Sequence, residues 1–386
     1  MLNHVFKFFS SLKLTVVLLG LAILLVFVGT LAQVDQGLYQ AQTRYFKSFF
    51  IYWKPHGTNL SIPVFPGGYF IGTVLLINLL TAHISRFKFT GKKTGIFMIH
   101  AGLILLLLGQ LLTDVLSKES AMRLAEGEAK NYSQDFRDNE LVIMDTSDAQ
   151  QDRVVSIPES LVAQKKEIRP PELPLTLRVL SYWENSALFD SPTNSASPVK
   201  VSKGFGTSAY LLPLQPTVKM DERNLPSAVV EVVSPEGSLG TWLVSSQTSA
   251  KQAFDYKGKT YEIAMRFTRY YKPFSLKLLS FTHERYQGTD TPKNFASTVR
   301  IQRPETGEDR EVRIYMNNPL RYNGETFYQA GFDPDNDRRP QKVTILQVVH
   351  NPGWLTPYFS CALVALGLIV QFGQHLFAFV QKRRTA

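Results

Sequence analysis

Two histidines lie inside long apolar segments of the chain, where an ionisable side chain is costly. His83 is near the end of the apolar segment 65–84, and His100 is the seventh residue of the segment 94–116. At a helical rise of about 1.5 Å per residue, His100 lies about 9 Å inside the start of its segment. Ionisable residues at such positions are functional candidates by default, so the chemistry of this chain is sought first at these imidazoles.

The imidazole of His100 has three chemical roles open to it: a structural hydrogen bond, a proton relay or a bond to a metal. Desolvation at this depth disfavours the charged form, which leaves a nitrogen lone pair available for coordination. One turn further on, Leu103, Ile104 and Leu107 would form apolar surface of the kind that covers a haem macrocycle. His100 is therefore a candidate axial ligand to haem iron, while the structural and proton-relay roles stay open at this point.

A six-coordinate haem iron needs two axial ligands, and one histidine supplies only one of them. If haem binds, the second ligand must come from His83 or from a partner protein. His83 lies three residues before Arg86, so it also has a simpler interpretation as a residue at the membrane interface. We therefore treat His83 as the secondary candidate.

Two stripes run along the segment that carries His100. At about 100° per residue, His100, Gln110 and Asp114 fall within about 80° of one another and form a polar stripe. Glycines recur every seven residues on another face, where small residues allow close contact between helices. These are Gly95, Gly102 and Gly109. This glycine face must pack against a partner protein or against another helix of the same chain.

Hydropathy identifies the elements that must position these side chains. Four segments are long and apolar enough to cross a hydrocarbon core of about 30 Å, which takes about 20 helical residues. They are residues 14–34, 65–84, 94–116 and 353–380. The remaining segments are the N-terminus 1–13, the loops 35–64 and 85–93, the tail 381–386 and the segment 117–352, which reads as a water-soluble domain.

Basic residues cluster beside alternate ends of the apolar segments, which predicts the orientation of the chain because Lys and Arg favour the cytoplasmic side. The nine residues are Lys7, Lys13, Arg86, Lys88, Lys92, Lys93, Lys382, Arg383 and Arg384. They account for nine of the formal net charge of +10. We expect a multi-pass protein of the inner (cytoplasmic) membrane, with both termini cytoplasmic and 117–352 extracytoplasmic. The basic charge is explained by topology and gives no support to nucleic-acid binding.

The segment 117–352 predicts an all-β domain without disulfides. The only cysteine, Cys361, lies in the fourth apolar segment, so 117–352 has no disulfide and no Cys-x-x-Cys redox motif. Period-two alternation bounded by turn residues is typical of half-buried antiparallel strands. It is clear at 140–144, 175–182, 229–233, 260–268, 275–282, 297–302 and 310–316, with hairpin turns at 255–259 and 305–309. We predict an antiparallel sandwich or barrel-like domain inserted between the third and fourth helices.

No catalytic constellation is visible in this domain. His283 and His350 lack the spacing of a metal site such as His-x-x-x-His, and neither a nucleophile elbow nor a phosphate loop occurs. A lone histidine on a strand is usually an ordinary surface or core residue. The domain therefore reads as a binding or scaffolding module.

Several short motifs occur in order along nearly the whole chain. The central ones are 99–109 (IHAGLILLLLG) and 122–128 (MRLAEGE). The others are 12–15 (LKLT), 29–33 (GTLAQ), 274–278 (FSLKL), 291–297 (TPKNFAS), 318–330 (NPLRYNGETFYQA) and 351–353 (NPG). Together they resemble the ResB/CcsB family of cytochrome c biogenesis proteins.

This resemblance implies a subunit of the System II cytochrome c synthase. Such a subunit pairs with a CcsA/ResC-type membrane protein, and the pair carries haem b across the membrane and supports its thioether attachment to apocytochrome c. Thiol-reducing proteins of the same pathway are further expected partners. By its place in the motif, His100 matches the membrane histidine that ligates haem iron in the family. The tryptophan-rich haem segment of the partner is missing, because the four tryptophans of this chain are scattered.

The resemblance therefore implies a non-catalytic or co-catalytic subunit of a holocytochrome c synthase (haem lyase) complex. Two other classes of protein remain open. A non-haem membrane scaffold or complex-assembly subunit with an outer β domain would also have four helices, and His100 would then be a hydrogen bond between helices. A membrane-anchored hydrolase is less favoured, because no pair of nucleophile and base can be named.

Overall fold

The computed structural model describes residues 2–53, 55, 60–86, 90–148, 151–193, 195–217, 222–288, 292–333 and 341–384. Of the residues singled out above, Lys88 and Thr291 lie outside these ranges. The chain forms two compact units. One, here called the helical unit, comprises Met1–Lys118 and His350–Ala386, and the other, the β unit, comprises Glu119–Thr217 and Asp221–Val349.

Helices form wherever the sequence has long apolar runs. They are α1 Leu2–Phe9, α2 Leu12–Ala41, α3 Gly68–Arg86, α4 Thr94–Leu116, the single turn α5 Glu159–Val162 in the β unit, and α6 Thr356–Arg384. Within the described ranges, four of them (α2, α3, α4 and α6) are long and apolar enough to cross a membrane. The prediction of four apolar helices is confirmed. The helix α4 has the same ends as the predicted segment, α2 extends beyond both ends of its segment, and α3 and α6 begin and end a few residues later than theirs.

The chain doubles back after α2. Non-helical angles at Gly37 (φ 76°, ψ 162°) kink the end of α2, and a π-helical turn, Gln42–Phe46, follows. A Cβ added to Gly29 would lie 2.7 Å from the ring of Phe46, so the absence of a side chain at Gly29 allows this return. Two short antiparallel strands, β1 Phe50–Trp53 and β2 Ile62–Pro66, come next and lead into α3. Most of this hairpin lies in the segment 35–64, for which the sequence predicted a loop.

Asn78 of α3 holds the break between α1 and α2. Its side chain is buried, and its amide donates hydrogen bonds to the carbonyls of Phe9 (2.5 Å) and Ser11 (3.2 Å). The Thr15 hydroxyl donates to the Asn78 carbonyl oxygen at 2.6 Å. Backbone carbonyls at a helix break need such partners, because water is absent from an apolar environment. A polar residue inside an apolar helix thus has a structural explanation.

The glycine face of α4 packs against α6. A Cβ added to Gly102 would lie 2.6 Å from Val364 Cγ2 and 3.0 Å from the Ser360 carbonyl oxygen. At Gly95 and Gly109, an added Cβ would similarly meet α6 within 2.4 to 2.7 Å. The face therefore meets another helix of the same chain, which decides between the two alternatives left open by the sequence and removes the reason to assign this face to a partner protein.

The β unit is antiparallel throughout its described strand pairs, as predicted. Its strands are β3 Lys118–Ala125, β4 Ala129–Asp145, β5 Arg153–Pro158, β6 Glu167–Ile168, β7 Thr176–Trp183, β8 Ser186–Phe189, β9 Ser197–Pro198, β10 Tyr210–Pro213, β11 Ser227–Ser234, β12 Gly237–Ser245, β13 Ala253–Tyr256, β14 Lys259–Arg285, β15 Pro292–Arg303, β16 Glu308–Tyr315, β17 Leu320–Tyr322, β18 Glu325–Phe332 and β19 Val343–His350. The largest sheet has the order β16-β15-β14-β4-β3-β19-β18-β17, with β13 beside β14 and β5 beside β4. Smaller sheets have the orders β12-β11-β7-β6 and β8-β10-β9, so the unit is partly barrel-like.

The strand β14 differs from the sequence prediction, which placed two strands at 260–268 and 275–282. One continuous strand runs through both, past Pro273. The register against β4 shifts between Tyr271 and Leu276, and such an irregularity accommodates a proline because no ladder hydrogen bond is required from its nitrogen. The predicted hairpin turn before this strand is present, with positive φ at Lys257 (49°) and Gly258 (75°), which is the pattern of a type I′ turn.

The two halves of β14 contribute to different hydrophobic cores. Tyr261, Ile263 and Met265 pack in a core around the buried Trp242. Phe274 and Leu276 pack in a second core with residues of β3, β15 and β19. Both cores are formed by strands whose side chains alternate between core and surface, and β14 contributes residues to each core.

Candidate histidine site

His83 of α3 and His100 of α4 lie next to each other in the helical unit. Their ring centroids are 5.9 Å apart and their planes are inclined at 68°. His83 is three residues before the end of α3, and His100 is six residues after the start of α4. Residues at similar distances from a short connection between two helices reach similar depths, so the hairpin of helices brings the two imidazoles together.

Phe97 is the third ring of this site. Its centroid lies 4.9 Å from that of His83, with the planes inclined at 40°. Phe97 and His100 are three residues apart on α4 and therefore share a face of the helix. The aromatic ring fixes one side of the His83 imidazole, and no pattern in the sequence marked Phe97 for this role.

The apolar residues that follow His100 lie along the same side of α4. Ile104 and Leu107 are half-buried, and 39% of Leu103 is exposed. Spacings of three, four and seven residues place these side chains on one stripe of the helix with His100. The imidazole thus has apolar side chains beside it on α4, and these side chains remain partly exposed.

The donor set of this site fits haem iron. Neutral imidazole is a common ligand to haem iron, and two imidazoles come from neighbouring helices of one chain. Among the described residues, no group of three or more His, Cys, Asp or Glu side chains is placed to hold a metal ion. A bare ion would need such a group, whereas a macrocycle supplies most of the iron ligands itself and asks for only one or two side chains.

Asp114, at the other end of α4, belongs to a separate polar cluster that sequence reasoning did not identify. Its carboxylate is 2.8 Å from Lys47 Nζ and also accepts a hydrogen bond from the Tyr69 hydroxyl. The cluster ties the segment after α2 and the start of α3 to α4. Gln110, predicted on the same stripe, is exposed. The predicted polar stripe therefore serves two sites, and Asp114 is accounted for by its own partners.

The histidines of the β unit and its boundary lie elsewhere. His283 is in β14, where its ring stacks on Phe295 (centroids 4.7 Å apart, 21° between planes) and lies 4.6 Å from the ring of Phe332. His350 ends β19 and is exposed. The surroundings of His283 are those of a residue that packs in an aromatic cluster at the edge of a core.

Carboxylates dominate the electrostatics of one part of the β unit. Desolvation raises the pKa of Asp138, and the nearby charges of Asp135 and Glu159 raise it further, although part of the Asp138 side chain is exposed to water. Two tyrosines share this region: Tyr270 donates a hydrogen bond to Asp135 at 2.8 Å, and Tyr182 donates one to Glu159. The pKa values of both phenols are raised, chiefly by burial and then by these carboxylates. The tyrosine hydroxyls of this cluster already donate to its carboxylates, so we describe the cluster as structural.

The fold is that of a polytopic membrane protein with a large inserted domain. It has four apolar helices, an antiparallel β unit between the third and fourth, and a histidine pair on two of the helices. Comparison with known proteins agrees with the resemblance found in the sequence. The model of the ResB-like family matches residues 230–341. The resemblance to the ResB family is therefore confirmed.

One curated protein that this chain resembles is NrfI of Wolinella succinogenes. The two are 28% identical over 305 residues, which cover 77% of this chain and 29% of NrfI. The chain thus spans less than a third of the length of this relative.

Proposed function

We propose that this chain handles haem in cytochrome c biogenesis, with His100 as an axial ligand to the iron. The observation that carries the proposal is the pair His83 and His100, 5.9 Å apart in the helical unit of a chain that resembles the ResB family. Haem b would bind here. Its vinyl groups are what cytochrome c biogenesis joins to cysteine thiols.

The role of His100 is to offer a neutral imidazole in an apolar setting. Its depth in α4 disfavours the charged form, so a nitrogen lone pair is available. Phe97 lies against the His83 ring, and Leu103 is one turn from His100 on the same side of α4, so both give the imidazoles apolar neighbours. His83 is close enough to be the second ligand or to orient His100, and it is the secondary candidate in this proposal.

The partner in this proposal is a CcsA/ResC-type membrane protein, which would contribute the outer haem site and most of the attachment chemistry. Apocytochrome c is the acceptor. Residues 117–352 contain no cysteine, so in this proposal other proteins keep the thiols of apocytochrome c reduced. That is the role of thiol-reducing proteins of the same pathway. Holding vinyl groups beside thiols is a positioning task, in which proximity supplies much of the acceleration.

The proposed location is the inner (cytoplasmic) membrane. Both termini of the chain, with the nine basic residues, are cytoplasmic, and the β unit is extracytoplasmic. Protease added to the outer face of sealed spheroplasts should cut within 117–352 and spare a tag placed after Arg384. Digestion of that tag from outside would contradict the topology.

An absorption spectrum of the purified chain tests haem handling itself. The chain is expressed with and without its partner under haem-replete conditions, and the Soret band is measured per mole of protein. A band that appears with the partner and is lost in a His100 variant is the expected result. Its absence in both preparations would favour a non-haem scaffold or complex-assembly subunit.

A further inference from the structure

An apolar cavity of about 430 Å³ lies beside α2 in the helical unit. Three elements form its walls: α2, the π-helical turn and the β1–β2 hairpin. The lining residues used below are Leu25, Val28, Arg44, Tyr45, Tyr52 and Trp53. Its volume is in the range of cavities that hold small molecules.

The position of the cavity along α2 is near the outer part of a hydrocarbon core. Val28 lies about 24 Å along the helix from Leu12 at 1.5 Å per residue, and a hydrocarbon core is about 30 Å thick. The hairpin beside it carries exposed aromatic side chains, with 55% of Trp53 and 46% of Tyr52 accessible. Trp and Tyr are enriched where membrane meets water, which favours an interfacial position for this end of the cavity when α2 crosses a membrane.

Arg44 gives this apolar cavity a positive charge. Within the part of the chain that the structure describes, Arg44 forms no ion pair. It makes a long hydrogen bond of 3.5 Å to the carbonyl of Tyr52, and its guanidinium carbon is 5.6 Å from the Tyr45 ring centroid. Lys47, three residues further on, is by contrast paired with Asp114 at 2.8 Å. Among the described residues, a carboxylate pairs with Lys47 and none pairs with Arg44.

We propose that this cavity binds an anionic phospholipid, with one acyl chain against Leu25 and Val28 and the phosphate on Arg44. A guanidinium binds phosphate through paired hydrogen bonds, and the apolar walls complement a hydrocarbon chain. Histidine, cysteine and methionine are absent from the described lining, so the common nitrogen and sulfur ligands of haem iron are missing and only tyrosine hydroxyls are present. The inference rests on the helices crossing a membrane and is independent of haem binding at His100.

Native mass spectrometry of the full chain tests this site. The protein is delipidated in detergent, incubated with equal amounts of phosphatidylglycerol and phosphatidylcholine, and the retained lipids are counted. The wild type should retain phosphatidylglycerol preferentially. Arg44→Gln should lower this retention about tenfold, the order expected when a charge-assisted contact is lost. Arg44→Lys should keep part of it, because the charge remains.

Two further variants make the result decisive. Val28→Trp fills the cavity and should lower the retention of both lipids. Arg384→Gln makes the same change in charge at the end of α6 and should change nothing. Equal retention by the wild type, Arg44→Gln and Val28→Trp would overturn the proposal. So would loss of a Soret band in Arg44→Gln with unchanged phosphatidylglycerol, since the cavity would then hold haem.

Discussion

The rings of His83 and His100 lie 5.9 Å apart, on two helices whose connection is short. Neither ring can be altered without changing the surroundings of the other. The roles of the two histidines are therefore separated only by comparing both substitutions with that of a histidine elsewhere in the helical unit, such as His375 of α6.

Replacing His100 with Gly should abolish haem retention and cytochrome c maturation while the protein still inserts and folds. His83→Ala should have a smaller effect, and His375→Ala should have none. Added imidazole should partly restore the His100→Gly variant, because it can occupy the vacated space. The readouts are the Soret band of the purified complex and the yield of mature cytochrome c.

The opposite pattern would move the assignment. If the His100 variant kept haem and matured cytochrome c normally while the His83 variant did not, the ligand would be His83 of α3. If imidazole restored neither variant, although both were folded, a role in orienting another ligand would fit better than direct ligation.

Replacing Gly102 with Leu should separate α4 from α6 within this chain. The new side chain would meet Val364 and the Ser360 carbonyl, and overpacking of this kind costs about 1–3 kcal/mol. Gly373→Leu is the control, because an added Cβ at Gly373 has nothing within 4 Å. Thermal unfolding in detergent should show a lower Tm for Gly102→Leu alone. Equal Tm values would contradict the packing described for the glycine face.

Asp114→Asn should loosen the segment between α2 and α3. The substitution removes the ion pair with Lys47 and weakens the hydrogen bond from Tyr69, whose carboxylate partner is largely buried. Loss of such contacts costs about 1–3 kcal/mol, so trypsin cleavage after Lys47 should accelerate about tenfold if opening is local. Gln110→Ala, one turn earlier on α4, is the control. Unchanged cleavage in Asp114→Asn would mean that other contacts hold this segment.

Asp138→Asn should stabilise the β unit at neutral pH. Desolvation and the charges of Asp135 and Glu159 raise the pKa of Asp138, so the folded state binds its proton more tightly than the unfolded state does. Below the ordinary pKa of about 3.9 both states are protonated and the effect vanishes, whereas above the raised pKa the ionised form destabilises the fold. The advantage of the variant should therefore grow as the pH rises from about 4 to 7.

Unfolding followed by tryptophan fluorescence at several pH values measures this difference. Asp190 provides the matched control, since it is exposed as Asp138 is and Asp190→Asn makes the same chemical change away from Asp135 and Glu159. A variant that gained no stability at pH 7, or gained the same amount at pH 3, would show that Asp138 is not desolvated as described.

Local patterns in the sequence predicted the four long apolar helices and the strands β4, β7, β11, β14, β15 and β16, because each depends on neighbouring residues. Hydropathy alone placed both ends of α4, and alternation found the inner part of β11 and β15. The same reasoning divided β14 in two, because a proline normally ends a strand and the bulge that tolerates it is set by pairing with β4.

Long-range pairings were beyond the reach of these patterns. Lys47, Tyr69 and Asp114 are far apart in sequence, and nothing local indicates that one carboxylate serves the other two. The glycine repeat in α4 predicted a close contact but not its partner, since both a foreign helix and α6 satisfy the same steric rule. The neighbourhood of His83 and His100 follows more directly, because a short connection constrains both.

The segment from Val343 to Arg384 contributes one element to each unit. Because it is synthesised after the rest of both units, neither unit can be completed before it is made. It carries β19, which borders β3 in the large sheet, and α6, which covers the glycine face of α4. Ribosomes add about 5–20 residues per second, so β3 and α4 wait on the order of 10 s or more for these neighbours. Throughout that interval the edge of β3 and the glycine face of α4 lack these neighbours, and unpaired strand edges and uncovered apolar surface promote aggregation of unfinished chains.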